Sequence, residues 1–374
     1  MTSLDASRVV ITSAIRWAWI SDVSAHLRVL DLSSGEVTFV APVPESKWRA
    51  VDPNPRGGQR GARGLSVHGD RLVLANAETL FVFDTSWRLL GQISRPLLAD
   101  VHDVLAEERG VWVTAAGCDA LVLMGWDGQR LDWWTFRNDG RLLRRLGFRR
   151  SDVPKIDPKR DYRDPRARTD FFDTVHLNGL LRDGNGMLLS FGRVNVSADA
   201  PGRAAIVWLP DRGPRLLPRR ASVVLENGPA LVPNHNLALE DDLLVYNDTN
   251  RDRLVGWDRR ARVEHGSVKI PGSPAFARGL ARIGPGRWLV GSQKPHAVHD
   301  VDLAAGRIVR TYELGGDENE CVFAICPLPE RFAQPVQPGP DEDAYAFWLR
   351  ADPQAQYTPI ARPSRGGPSA PGRA

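Results

Sequence analysis

Six stretches of this chain set a polar or charged residue at the head of an apolar run. They are Ala62-Arg63-Gly64-Leu65, Val101-His102-Asp103-Val104, Val175-His176-Leu177-Asn178-Gly179-Leu180, Asn234-His235-Asn236-Leu237, Ala277-Arg278-Gly279-Leu280 and Asn319-Glu320-Cys321-Val322. Three of the eight histidines fall at these openings. Neutral imidazole is the commonest nitrogen ligand, and three imidazoles with a carboxylate suit Zn, Fe or Cu. His102, His176, His235 and Glu320 are therefore candidate metal ligands, with Glu320 also a candidate general base. Asn178, Asn236 and Asp103 could orient the rings or contact substrate. With Glu320 they would also suit Ca, which prefers oxygen ligands. Arg63 and Arg278 are candidate catalytic groups that stabilise developing negative charge or neutralise an anionic substrate. The same histidines also fit a metal-free acid–base or ligand site, or a wet channel whose side chains only hydrogen-bond.

Such residues act together only if the fold gathers them. Each opening except the last is followed within about ten residues by a second apolar run, such as Val111-Trp112-Val113-Thr114 or Trp288-Leu289-Val290-Gly291. A further apolar run then ends in aspartate at a turn, as in Phe81-Val82-Phe83-Asp84 and Val255-Gly256-Trp257-Asp258. Asp, Gly and Ser cluster behind most of these aspartates, as hairpin turns require. The openings at 63, 102, 176, 235, 278 and 320 are spaced 39, 74, 59, 43 and 42 residues apart. Copies of a four-stranded meander at such a period predict an all-β, six-bladed β-propeller. The N-terminal segment lacks an opening strand and the C-terminal segment supplies one, so the two should share a blade and close the ring. A seventh blade would need a degenerate copy inside the insertion at about 130–172.

The predicted organisation is a single propeller domain over 1–360, a lid-like insertion at about 130–172 and a disordered tail over 361–374. The insertion carries the best helix candidate, Arg141 to Gly147, a short amphipathic turn stopped by glycine. Trp134, beside Trp133 at its border, is a candidate substrate-pocket residue. His296 and His299 have a His-x-x-His spacing but fall in a predicted loop between strands. Cys118, Cys321 and Cys326 form no disulfide framework, redox pair or zinc knuckle by spacing.

Hydrophobic residues make up 42% of the 374 and charged residues 25%, the proportions of a globular protein. Net charge is +4 with acidic and basic residues interspersed, which predicts a solvated surface and no nucleic-acid partner. No long apolar window and no leader pattern is present, so neither a membrane partner nor export is expected. A cytoplasmic location follows as the default expectation.

The pieces His176-Leu177-Asn178-Gly179-Leu180 and Phe276-Ala277-Arg278-Gly279-Leu280-Ala281, with Leu289-Val290-Gly291-Ser292, resemble an uncharacterised bacterial β-propeller family with HLNGL and RGLA blade motifs. The resemblance covers about 60–330 and implies the propeller fold without an activity. More distantly the arrangement is similar to the lactonase and senescence-marker propellers, which hold a metal ion on the axis with Glu, Asn and Asp. The expected function is a divalent-metal-dependent lyase, hydrolase or oxidoreductase acting on a small-molecule substrate at the axis. The alternative is a non-catalytic ligand-binding or scaffolding propeller.

Overall fold

The apolar runs found in the sequence are strands, and each pairs with its sequence neighbour. The computed structural model describes residues 6–19, 22–52, 61–168, 174–196, 203–212, 215–226, 234–339, 342 and 347–348. Its strands form six antiparallel sheets. Blade 2 is Gly64–His68, Arg71–Ala75, Leu80–Phe83 and Leu89–Ile93. Blade 3 is Val101–Glu107, Gly110–Ala115, Ala120–Gly125 and Arg130–Thr135. Blade 4 begins with Leu177–Asp183, Gly186–Val194 and Arg203–Arg212, and ends on the short strands Arg215–Leu216 and Ser222–Glu226. Blade 5 is Asn234–Glu240, Leu243–Asp248, Arg253–Asp258 and Val263–Lys269, and blade 6 is Arg278–Gly284, Arg287–Gly291, Ala297–Asp302 and Arg307–Glu313.

Blade 1 is shared by the two ends of the chain, as expected. Glu320–Leu328 is its inner strand, and Arg8–Ile15, His26–Asp31 and Val37–Pro42 complete it. The register runs from Arg8 opposite Leu328 to Ile15 opposite Glu320. The first strands of neighbouring blades contact one another in a closed ring around the axis. That ring is tight. A Cβ on Gly279, whose φ is +72°, would lie 2.9 Å from Ile325 and Val322 of blade 1.

The aspartates that end the third strands close the outer turns. Asp31 accepts from the backbone N–H groups of Ser33 and Ser34, Asp84 from Ser86 and Arg88, and Asp258 from Arg260 and Ala261. A short acceptor side chain over its own turn is why aspartate recurs there.

The insertion begins later than the expected 130, because Arg130–Thr135 is the outer strand of blade 3; among the described residues from Phe136 to Arg168 there is no strand, so the ring has six blades. Its helix, Gly140–Arg145, is capped by Asp139, which accepts from the N–H groups of Arg141 and Leu142. Leu142, Leu143, Leu146 and Phe148 are buried with Trp112, Phe136 and Phe191 between blades 3 and 4. Burying each such side chain contributes about 1.5–3 kcal/mol, so this part of the insertion is core. Among the described residues no helix is long and apolar enough to cross a membrane. The expected tail over 361–374 lies outside the described residues.

Candidate functional site

All six openings lie at the same end of the axis, where the first strands start. Their residues nevertheless do not occupy equivalent positions. In blades 3, 4, 5, 6 and 1 a bulge leaves one residue of the inner strand without a cross-strand partner. These residues are His102, Asn178, Asn236, Gly279 and Phe323. His102 sits at the bulge, His176 two residues before it and His235 one residue before it. A shift of one residue turns a strand side chain to the other face, so the three imidazoles are aimed differently.

His102 and His176 do meet. Their rings lie edge to face with centroids 4.5 Å apart. His235 turns away, and its Nδ1 lies 2.7 Å from the hydroxyl of Thr249, which donates to the carbonyl of Ala277. Glu320 is fully buried and committed elsewhere. Arg28 Nη2 donates to its Oε2 at 2.9 Å, His26 Nδ1 lies 2.9 Å from its Oε1, and the Ser13 hydroxyl bonds the same oxygen. Burial opposes ionisation of Glu320, but the hydrogen bonds from His26 and Arg28 outweigh it and hold the carboxyl far below its usual range. The expected set of His102, His176, His235 and Glu320 is therefore not assembled into one coordination sphere. Among the described residues no three His, Cys, Asp or Glu side chains could hold a metal ion together.

The oxygen donors are also spent locally. Asn236 Oδ1 accepts from the N–H of Gly279 at 2.9 Å and so links blade 5 to blade 6. Asp103 accepts from the N–H groups of Val104 and Leu180, linking blade 3 to blade 4. Burial pushes the Asp103 carboxyl up to about 7 despite those bonds. Asn178 is buried at its bulge. Trp134 is on the outermost strand of blade 3, in the core beside Phe136 and Leu142, and is not at the axis. With Trp133, Asp139, Arg141 and Pro218 it lines a separate outer pocket. His296 and His299 do not act as a pair. His296 Nδ1 meets the carbonyl of Gly315, while His299 is bonded to Thr311 and Ser292.

What the fold gathers instead is a run of cations and rings. Arg16 lies over the ring of Phe276 at 4.3 Å. Arg278 lies over Phe276 at 4.4 Å and over Phe323 at 4.5 Å. Arg63 lies over Phe323 at 5.8 Å, and Phe323 packs 5.6 Å from His102. Phe323 thus touches residues of blades 2, 3 and 6 across the axis. With Arg63 and His102 it forms a buried floor. Arg16, His176, Phe276 and Arg278 are half-buried around it, and Arg193 is exposed.

The electrostatics of the floor are fixed by contact. Arg63 is paired with Asp100, and its Nη1 lies 2.9 Å from His102 Nε2. A guanidinium can only donate, so His102 Nε2 accepts and the imidazole proton sits on Nδ1. That Nδ1 is buried without a hydrogen-bond partner. Burial, then Arg63 and His176, push His102 down to about 3, which keeps the ring neutral. Burial disfavours the Asp100 anion, but Arg63 outweighs it and holds the carboxyl well below its usual range. Arg168, near the end of the insertion, also acts on Asp100.

Three residues around this group hold left-handed backbone without being glycine: Asp100 at φ +54°, His176 at +49° and Phe276 at +50°. Each costs about 1 kcal/mol or more and persists only where packing imposes it. Phe276 is pinned by Asp252, which accepts its N–H at 2.7 Å.

The sequence reading missed Phe276, Phe323, Arg16, Asp100 and Arg193. Phe276 lies just before its strand on left-handed backbone, so strand alternation does not place its ring over Arg278. Phe323 was not legible either, since it reaches the axis only through a bulge.

Fold and site together define a six-bladed β-propeller with a cationic, aromatic, histidine-bearing mouth. No protein-family description matches the sequence, and no curated protein matches it. Among solved structures, a protein of unknown function from Bacteroides caccae aligns over 87% of this chain and 100% of its own, at 10% identity and a TM-score of 0.54. A virginiamycin B lyase from Staphylococcus aureus aligns over 69% of this chain and 71% of its own, at 11% identity and a TM-score of 0.44. A chain of a nidogen–laminin complex aligns over 85% and 97%, at 10% identity and a TM-score of 0.46. At these identities the likeness is one of fold.

Proposed function

We propose that the protein acts on a small metabolite bound at the mouth of the axis, with His176 as the proton-handling group. The observation that carries this is the contact between His102 and His176 on a backbone held at positive φ. His102 is the fixed partner. Its Nε2 is engaged by Arg63 and its ring stays neutral, so it positions His176 through the edge-to-face ring contact. His176 is half-buried, so it keeps the solvent and substrate access that a general acid or base needs. Arg63 and Arg278 stabilise negative charge on the bound molecule. The insertion, which reaches Asp100 through Arg168, is the lid-like element of the site. The HLNGL and RGLA motifs support placing the chain with the bacterial propeller family that it resembles.

A second reading, a ligand-binding propeller without catalysis, is favoured by Phe323, which fills the axis below the mouth. One experiment separates the two. Wild type and His176→Asn are incubated with a metabolite extract and followed by mass spectrometry. Consumption of a metabolite by wild type alone supports catalysis. Retention by wild type without consumption supports binding only. No retention by wild type overturns both, and equal consumption by the two proteins overturns the role of His176. Metal analysis of untagged protein is run alongside. Zinc, iron, copper or calcium at one per chain, lost in His176→Asn, would make the site a metal centre instead.

A further inference from the structure

One cation at this mouth, Arg278, is not balanced by a carboxylate among the described residues. The Arg278 side chain makes no hydrogen bond or ion pair with any described residue, and its Nε is buried without a partner. Its guanidinium lies over the rings of Phe276 and Phe323 instead, 4.4 and 4.5 Å from their centroids. A guanidinium stacked in this way keeps its in-plane N–H groups for a planar, forked acceptor such as a carboxylate or phosphate. Arg16, Arg63 and Arg193 are near enough to act on its charge. Burial first, and then these three guanidiniums, push Arg278 down to about 9, so it remains a cation at neutral pH against opposing charge. The carboxylate seen at this group, Asp100, is committed to Arg63. An uncompensated cation held among cations is costly in a stable fold unless something else neutralises it.

We propose that the ligand of the axial mouth is a small dianion, a phosphomonoester or a dicarboxylate, whose charged group is gripped by Arg278 between Phe276 and Phe323 with Arg16 and Arg63 to either side. The proposal rests on the reading of this mouth as the small-molecule site and adds the chemical class of what it takes. Arg278 is a binding residue. Phe276 and Phe323 are positioning residues, because they set the plane of its fork.

The test uses the full chain and two probes, inorganic phosphate and malonate, with chloride at matched ionic strength as control. Thermal unfolding is followed with and without each probe. Wild type should be stabilised by one or both dianions beyond the chloride control, and the stronger of the two separates a phosphoryl from a dicarboxylate ligand. Arg278→Met should raise the unfolding midpoint in the absence of probe, because it removes like-charge repulsion. It should also weaken dianion binding at least about tenfold, the scale of one charge-assisted hydrogen bond. Should Arg278→Met be less stable than wild type, Arg278→Lys decides. It keeps the charge but not the fork, so loss of the dianion response supports the proposal and an unchanged response overturns it. No response of wild type to either probe, or the same response in Arg278→Met, also overturns it.

Imidazole C–H resonances of His102 and His176 separate this failure from failure of the site itself. If a metabolite extract moves them and neither dianion does, the site stands and the dianion is wrong. If nothing moves them, both readings fall.

Discussion

At the end of the axis where the first strands finish, Arg182, Arg259 and Arg282 each meet a carboxylate from another strand. Arg182 holds Glu107 at 2.7 Å through both Nε and Nη2 and is also paired with Asp211. Arg259 Nη2 donates to Asp183 at 2.7 Å, and Arg282 pairs with Glu240. Glu107–Arg182 joins blades 3 and 4, Asp183–Arg259 joins blades 4 and 5, and Glu240–Arg282 joins blades 5 and 6. At the end where the strands start, Arg278 and Arg16 meet ring faces instead. At the mouth Arg63 and Arg28 are paired as well, with Asp100 and Glu320, so the contrast rests on Arg278, which meets no carboxylate among the described residues. The paired arginines serve stability, and the charge of Arg278 would serve the proposed ligand.

Substitutions that strand a paired, buried charge, at either end, should be the most damaging. Glu320→Gln removes the charge that faces Arg28, which is only 2% exposed, and leaves a buried cation uncompensated. A loss of about 3 kcal/mol is expected in urea unfolding. A change within a few tenths would mean that Glu320 is free for another role. Arg182→Met strands Glu107 and Asp211, but the arginine side chain is 30% exposed, so solvent screens part of the loss. About 1–2 kcal/mol is expected, and no loss would erase the contrast between the two ends.

The remaining effect is in pH. His102 is held neutral down to about 3 in the fold, while a free imidazole titrates near 6.5. Below about 6.5 the unfolded chain takes up a proton that the fold refuses, so stability falls as pH drops from there toward 3. His102→Gln should remove the contribution of His102 and leave those of His299, which burial pushes down to about 4, and of Asp103, which burial pushes up to about 7 and which acts with the opposite sign. Unfolding free energies of both proteins at neutral and mildly acidic pH measure it. Identical slopes would mean that His102 is not buried as a neutral ring.

The blades were legible in the sequence for a physical reason. Strand periodicity and the Asx turns at Asp31, Asp84 and Asp258 are local, and the composite blade follows from counting which segments lack a partner. The gathering of openings at one mouth was legible too. The direction of individual side chains was not. Bulges at His102, Asn178, Asn236 and Phe323 change the parity of the inner strands by one residue each, and a bulge has no clear mark in a single sequence. Hence His102 and His176 meet, His235 turns to Thr249, and Phe323 enters the axis unforeseen. Glu320 was read as functional because it is a charged residue at an opening. Its partners Ser13, His26 and Arg28 lie some 300 positions away in the chain, so their claim on it is visible only in the folded ring.

The central claim is that the mouth of the axis carries positive charge reserved for a dianion. The most direct measurement is an anomalous difference map from crystals grown with selenate, a tetrahedral dianion that marks its own position. A selenium peak within hydrogen-bond reach of Arg278, beside Arg16 or Arg63 and absent from Arg278→Met crystals, is the predicted result. Selenate bound only at surface arginines such as Arg260 or Arg331, with nothing at the mouth, would contradict it.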